Sequence, residues 1–413
     1  MKSILIIGSG IVGICSGIEL INRGFTVTLM DPNKPGSKTS YGNAGVITDA
    51  SLMIVNNPQL LKSLFSLIFE KNIAFRYSIL FVLARLTWIM SFLMFCSKKH
   101  MEKSGNALRE LQVLSLECHK KLIKVTSSEE NVTKPGWLKL FKTKEGFDKY
   151  GTEISLLNKN KVDYSILESD QIKKKYPDLK ECFFRGIIFT NSLRIKSPQK
   201  LSDSYFNYFK KMNGKFINES CESFKFINNK WSVNSNKGSY NFEHIIISAG
   251  PWSKKILSEL GYNIPLAWEK GYHHQFSTKK NISINPAIHD VEGGFVYSSN
   301  GDEVRVTSGV ELNFLNAKKN IEQIKEVVCR LKKIIPLKKQ LTKEAWLGSR
   351  PTIADSMPMI GKAPKHKKLW FNFGHNHIGL STSAGSAKVL GEMIEGKKVS
   401  IKIDSFLPSR FKL

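Results

Sequence analysis

The sequence predicts an α/β fold: a parallel sheet covered by helices, with an inserted α+β domain built on an antiparallel sheet. Three observations predict it. Residues 3–31 read as a buried strand (Ile4-Leu5-Ile6-Ile7), a glycine turn (Gly8-Ser9-Gly10-Ile11-Val12-Gly13), an apolar helix up to Gly24 and a second strand ending in Asp31. A further apolar strand at 242–248 runs into Ala249, Gly250 and Pro251, and a helix begins at Gly379 and stops before Gly396. Both would return the chain to the first sheet. Between them, segments at 271–276, 294–298 and 303–309 suit strands of a second, antiparallel sheet.

In the N-terminal turn each glycine answers a steric need. Gly8 allows the sharp turn at the strand end, Gly10 lets a phosphate approach bare backbone, and Gly13 lets the helix pack closely on the strand. The helix start offers unpaired N–H groups and a positive dipole end to a pyrophosphate. Asp31 lies at the distance expected of an acid that accepts hydrogen bonds from a ribose. Strand, turn, helix, second strand and acid in that order indicate dinucleotide binding, which a glycine triplet alone would not. One lysine before an apolar run also suits a short secretory signal. That reading fits less well, because the run continues into Glu19, Arg23 and Asp31 with no small-residue cleavage site before Asp31.

The 413 residues suffice for two linked domains or one large one, and 41% hydrophobic with 23% charged residues is an ordinary globular balance. The cysteines (Cys15, Cys96, Cys118, Cys182, Cys221, Cys329) form no CxxC pair, so no metal site is expected, and a reducing, cytoplasmic setting fits. The net charge of +27 could draw nucleic acid, anionic lipid or acidic substrates. Lysines are spread along the whole chain with no dense basic run between aromatics, so nucleic-acid binding is not expected. A peripheral attraction to anionic membrane stays open.

After the turn-rich 31–36 comes a small, glycine-rich loop, Thr39-Ser40-Tyr41-Gly42-Asn43-Ala44-Gly45, which suits backbone passing close to a ligand. Residues 77–96 are the most apolar stretch, with Arg85 in the middle and Lys98 and Lys99 behind. A buried helix, a helix dipping into a membrane surface and a membrane span are the three readings of it. Further helices are expected at 108–125, 146–158, 198–212 and 318–334, and short strands at 215–217 and 231–233.

Taken in order, GSGIVG (8–13), TSYGNAG (39–45), ISAGPW (247–252), EKGYHHQF (269–276), WLGSRPTIADSMPMIG (346–361) and FGHNHIGLS (373–381) resemble the D-amino-acid oxidase/glycine oxidase superfamily of FAD-dependent enzymes. Within it the chain most resembles bacterial D-amino acid dehydrogenases of the small, FAD-carrying type. The resemblance implies a Rossmann-like FAD-binding domain at about 1–50, 195–260 and 345–413, and a substrate domain at about 51–194 and 261–344. It implies FAD with its ADP half along Gly8, Gly10, Ile11, Val12 and Gly13 and its ribose on Asp31. Ser40, Asn43, Ala44 and Gly45 would follow the pyrophosphate and flavin, and Ala249 and Gly250 the adenine end. Gly374, His375, His377, Gly379, Leu380 and Ser381 would begin the last helix beside the isoalloxazine ring. A helix start there would stabilise the negative charge of a reduced flavin.

The resemblance also implies that Arg350 pairs bidentately with a substrate carboxylate, for which a guanidinium fork is suited. Tyr272 and His274 are the other catalytic candidates. Alternation puts them on one strand face and His273 on the other, and a packing role suits each of the three as well as a functional one. The implied reaction is oxidation of an amino acid or secondary amine, foremost a D-amino acid, by hydride transfer to flavin N5. Glycine-, sarcosine- or hydroxyproline-type amine oxidation and a tRNA-modifying flavoenzyme are the alternatives. The expected electron acceptor is a quinone or membrane carrier, otherwise oxygen, with peripheral membrane contact through 77–96 at the inner face of the cytoplasmic membrane. The oligomeric state is left open.

Overall fold

A computed structural model describes residues 2–69, 73–278, 282 and 284–413. Its first sheet runs in the order Lys215–Ile217, Thr26–Met30, Ser3–Ile7, His244–Ile247, Leu369–Phe373, Met359–Lys362. The first five strands are parallel and the last is antiparallel. After Ser3 the strand Ser3–Ile7 is apolar throughout because both of its faces are covered. Ile4 and Ile6 pack toward the helices Ile11–Asn22, Pro198–Lys211 and Gly379–Glu395. Leu5 and Ile7 pack toward an antiparallel meander of Cys221–Ile227, Lys230–Ser235 and Ser239–Phe242. Ile4, Leu5 and Ile6 are fully buried, and each such side chain contributes roughly 2 kcal/mol.

The order of strands reverses at Ser3–Ile7, which has Thr26–Met30 on one side and His244–Ile247 on the other. A reversal of this kind opens a crevice at the carboxyl ends of the strands, where ligands of such sheets bind.

Among the described residues a second sheet has eleven strands, organised on the long strand Leu266–Thr278. It is mostly antiparallel. Ala287–Asp290 with Trp137–Phe141, and Val310–Leu312 with Phe75–Tyr77, pair in parallel. One face packs on the helix Glu322–Ile334 through Tyr272, Phe276, Val304 and Val306. The strand Trp346–Ile353, expected among the nucleotide-binding segments, instead pairs with Leu266–Thr278 from Leu266↔Ile353 to His273↔Trp346. Its backbone hydrogen bonds make it part of this second sheet.

Residues 77–96 form two short helices, Ile79–Ala84 and Leu86–Met94, broken where Arg85 leaves helical geometry (φ −126°). Phe81, Trp88 and Phe92 point inward, while Ile79, Leu80, Leu83, Leu86, Met90 and Met94 are 52–81% exposed. No described helix is long and apolar enough to cross a membrane. The single helix expected over 146–158 is two, Lys144–Lys149 and Gly151–Lys159.

Candidate active site

One large cavity of about 590 Å³ opens at the strand reversal. It is lined at one end by Asp31, Asn33, Lys34, Trp252 and Lys255, and it reaches Arg350, Trp346 and His377 at the other. Of the residues expected to hold the cofactor, Gly8, Gly10, Ile11, Val12, Asp31, Ser40, Asn43, Ala249, Gly250, Gly374, His375, His377, Gly379 and Leu380 line it.

The glycine turn is shaped by close approach. Gly8 has φ +110°, and a Cβ there would stand 2.5 Å from the Ser248 carbonyl oxygen. Gly13 lies behind the wall: a Cβ on it would meet the Gly8 oxygen at 2.0 Å, so its absence lets the helix sit on the strand. The Ser40 hydroxyl accepts from the Ile11 N–H at 3.0 Å and pins the 39–45 loop to the helix start. Asp31 accepts from the Ser9 N–H (2.9 Å) and the Asn33 N–H (2.8 Å), which fixes the carboxylate at the cavity edge.

Four expected residues do not line the cavity in the way foreseen. Besides Gly13, Gly45 packs on the carbonyl of Ile195, and its neighbour Ala44 is likewise outside the lining. The Ser381 hydroxyl turns away: it donates to the Val46 carbonyl at 3.0 Å and accepts from the Thr48 N–H at 3.3 Å. Ser381 so holds the chain after the loop against the last helix rather than facing a ligand.

Both helices that begin at the cavity, Ile11–Asn22 and Gly379–Glu395, lack a side-chain N-cap. Apart from the Ile11 N–H, which Ser40 Oγ takes, their first-turn N–H groups and positive dipole ends are therefore available to acceptors in the same space. The buried Ser248 Oγ, Asn372 Oδ1 and Asn376 Oδ1 also have no hydrogen-bond partner, and all three residues line the cavity. An anionic, hydrogen-bonding cofactor with polar groups along its length suits this set of donors and unpaired atoms.

At the far end Arg350 leaves the second sheet on the face that carries Glu269, Gly271 and His273, its neighbours across the strand pair. Its guanidinium lies over Gly271, where a Cβ would stand 2.5 Å from Nη2, and it donates through Nη1 to the Gly309 carbonyl at 3.1 Å. Burial opposes its charge, and Glu269 supports it. His377 lines the cavity and is exposed to it. Its ring opens on the cavity alone and sits deep in the molecule, and that desolvation, followed by the charges of Arg350 and Lys139, pushes its pKa down, so it is neutral at pH 7. His375, held by Ser386 Oγ at 3.2 Å, is pushed down to about 3 by burial.

Tyr272 and His274 are not brought to Arg350. They leave the strand on the opposite face. Tyr272 borders the cavity, but its hydroxyl donates to Glu311 Oε2 at 2.6 Å and accepts from the Asn320 N–H at 2.9 Å, within the core under the helix Glu322–Ile334. His274 Nδ1 is 2.8 Å from Thr342 Oγ1. His273 takes the cavity-side face instead, stacked on Trp346 with ring centroids 4.9 Å apart and 5.3 Å from Tyr41. Trp346 went unnamed as a site residue; it stands at the head of the motif containing Arg350, four residues earlier on the same strand face.

The comparisons with known proteins agree with this geometry. The DAO family, described as FAD dependent oxidoreductase, matches residues 3–393. A D-amino-acid oxidase from Bradyrhizobium diazoefficiens is 26% identical over 427 residues, covering 99% of each chain. Among solved structures, a glycine oxidase from Geobacillus kaustophilus superposes with a TM-score of 0.76 at 15% identity, covering 100% of each chain. An L-proline dehydrogenase from P. horikoshii gives 0.77 at 19% identity, covering 100% of this chain and 98% of its own. These two show a shared fold. With the family matched over nearly the whole sequence and a cavity whose donors suit the cofactor, the chain belongs to the DAO family and is an FAD-dependent oxidoreductase.

Proposed function

We propose that the protein oxidises the C–N bond of an amino acid, with D-amino acids the foremost substrates. The observation that carries this is Arg350. It is a guanidinium at the cavity wall, seated over Gly271, at the far end of the space that begins at the glycine turn. It would hold the substrate carboxylate through paired hydrogen bonds. His377 and His375, neutral at neutral pH, add no competing charge beside it. FAD, held by the glycine turn, Asp31 and the start of the last helix, supplies the two-electron acceptor. The residues around Arg350 would orient the α-carbon. Such chemistry needs orientation more than a protein base. The imine so formed would hydrolyse in water.

The D preference is supported by the relative named a D-amino-acid oxidase. Glycine or secondary amino acids are the second reading, favoured by the shared fold with a glycine oxidase and an L-proline dehydrogenase. Anaerobic bleaching of the yellow flavin by D-, L- and N-alkyl amino acids separates the two. D-amino acids should bleach fastest, and fast bleaching only by glycine, sarcosine or proline would favour the second.

We further propose a quinone or other membrane carrier as electron acceptor, with oxygen as the alternative. The exposed apolar side chains of Ile79–Ala84 and Leu86–Met94, with Lys98 and Lys99 behind them and a net charge of +27, suit contact with an anionic membrane surface. Co-sedimentation with anionic vesicles at low salt supports this. A protein that stays in the supernatant and turns over rapidly with oxygen contradicts it.

A further inference from the structure

Arg85 marks the break between the helices Ile79–Ala84 and Leu86–Met94, and the exposed side chains of Leu83 and Leu86 flank it in the chain. Its guanidinium lies over the indole of Trp268, 5.3 Å from the ring centroid. That contact fixes where the side chain points but uses none of its N–H donors. Among the described residues Arg85 has no hydrogen bond and no ion pair, and its Nε is buried without a partner.

Lys254 is a second cation within reach of the same charge. Its Nζ donates to the Leu266 carbonyl at 3.2 Å, next to the Pro265 carbonyl that accepts from Trp88 Nε1 at 3.0 Å. Among the described residues it has no acid partner either. Burial pushes its pKa down to about 8, and the charge of Arg85 adds to the shift. Both side chains are half-buried, and neither is paired with a carboxylate. Like charges so placed repel, and an anion between them would relieve both. The surroundings indicate which anion. Ile79, Leu80, Leu83, Leu86, Met90 and Met94, on either side of the break, are all more than half exposed. Such a surface suits acyl chains, and cations beside it suit the phosphate of an anionic lipid.

We propose that Arg85 and Lys254 form a binding site for the phosphate of an anionic phospholipid, whose chains meet the exposed apolar side chains of the two helices. Arg85 would hold two phosphate oxygens with its fork, and Lys254 would add a point charge. This rests on the reading of the two helices as a membrane contact. Co-sedimentation of the FAD-loaded protein with vesicles of phosphatidylcholine and phosphatidylglycerol tests it. Lys254→Gln should weaken binding about fivefold, and Arg85→Gln with Lys254→Gln about thirtyfold, the effect of one and two cations at an anionic surface. Lys332→Gln with Lys333→Gln, which removes the same charge from an exposed part of the helix Glu322–Ile334, should weaken it by less than about threefold. Arg85→Lys keeps the charge but not the fork and should also weaken binding. Flavin content and melting temperature should be unchanged throughout. Equal weakening in the Lys332 and Lys333 pair, or an Arg85→Lys protein that binds like the unaltered one, overturns the proposal in favour of diffuse attraction. Saturable binding of glycerophosphate without vesicles would make the occupant a soluble phosphate and overturn the lipid assignment. If the unaltered protein binds no vesicle, the membrane reading itself fails and the site with it. If Leu80→Asp with Leu83→Asp abolishes binding while Arg85→Gln with Lys254→Gln retains it, the membrane reading stands and the phosphate site falls.

Discussion

Replacing Gly271 by Ala should disable Arg350 while leaving the fold intact. Gly271 is not among the residues with positive φ, so alanine meets no backbone strain, and removing glycine from a strand is neutral or favourable by about 0.5–1 kcal/mol. The added Cβ would stand 2.5 Å from Arg350 Nη2, 2.8 Å from Cζ and 3.0 Å from Nη1. These atoms are the far end of a flexible side chain, so they would yield by about 1 Å to restore ordinary contact. Yielding breaks the bond to the Gly309 carbonyl, worth about 1 kcal/mol, and moves the fork off its carboxylate. Misplacement by about 1 Å costs about 100-fold in a positioned reaction. The assay is anaerobic flavin reduction against amino acid concentration. Its second-order rate constant should fall about 100-fold, mostly through a higher half-saturating concentration, with FAD content and melting temperature unchanged. A folded, FAD-loaded Gly271→Ala protein that reacts within threefold of the unaltered one would refute the placement of Arg350 over Gly271 as the source of its function.

Gly13→Ala should behave in the opposite way: its Cβ would meet the Gly8 carbonyl at 2.0 Å, backbone against side chain with nowhere to move, so stability should drop by about 3 kcal/mol and FAD should be lost, as read by melting and by flavin absorbance. His119 is fully buried between Tyr205 and Leu380, and burial pushes its pKa down to about 4, so the native state keeps it neutral. Its contribution to stability is complete above the unfolded value near 6.5 and is lost as pH falls through about 4; melting between pH 7 and 4 should lose about 3 kcal/mol from this group, and His119→Gln should flatten that slope. Leu80→Asp with Leu83→Asp should abolish co-sedimentation with anionic vesicles and leave flavin bleaching by substrate unchanged; vesicle binding that persists would show the exposed face is not the contact.

Much of the fold is legible because it rests on local patterns. The strand Ser3–Ile7, the glycine turn, the helix behind it and the strand ending at Asp31 follow one another within a short window, and each has its own signal in residue type. The last helix is equally plain, with Gly396 closing it at φ +73°. Arg350 is visible only through resemblance, since nothing in its immediate neighbours separates it from a surface arginine. Alternation correctly divides Tyr272 and His274 from His273, but which side meets the cavity depends on pairing with Trp346–Ile353, a register that no local pattern records. The break at Arg85 within 77–96 is likewise silent, because no glycine or proline marks it.

The most direct test of the central claim is anaerobic flavin bleaching by a D-amino acid beside the matching amine that lacks its carboxylate, in the unaltered protein and in Arg350→Ala. The account predicts rapid bleaching by the amino acid alone, lost in Arg350→Ala while FAD remains bound. Equal bleaching by the amine, or an Arg350→Ala protein that still reacts with the amino acid at the original rate, would contradict it.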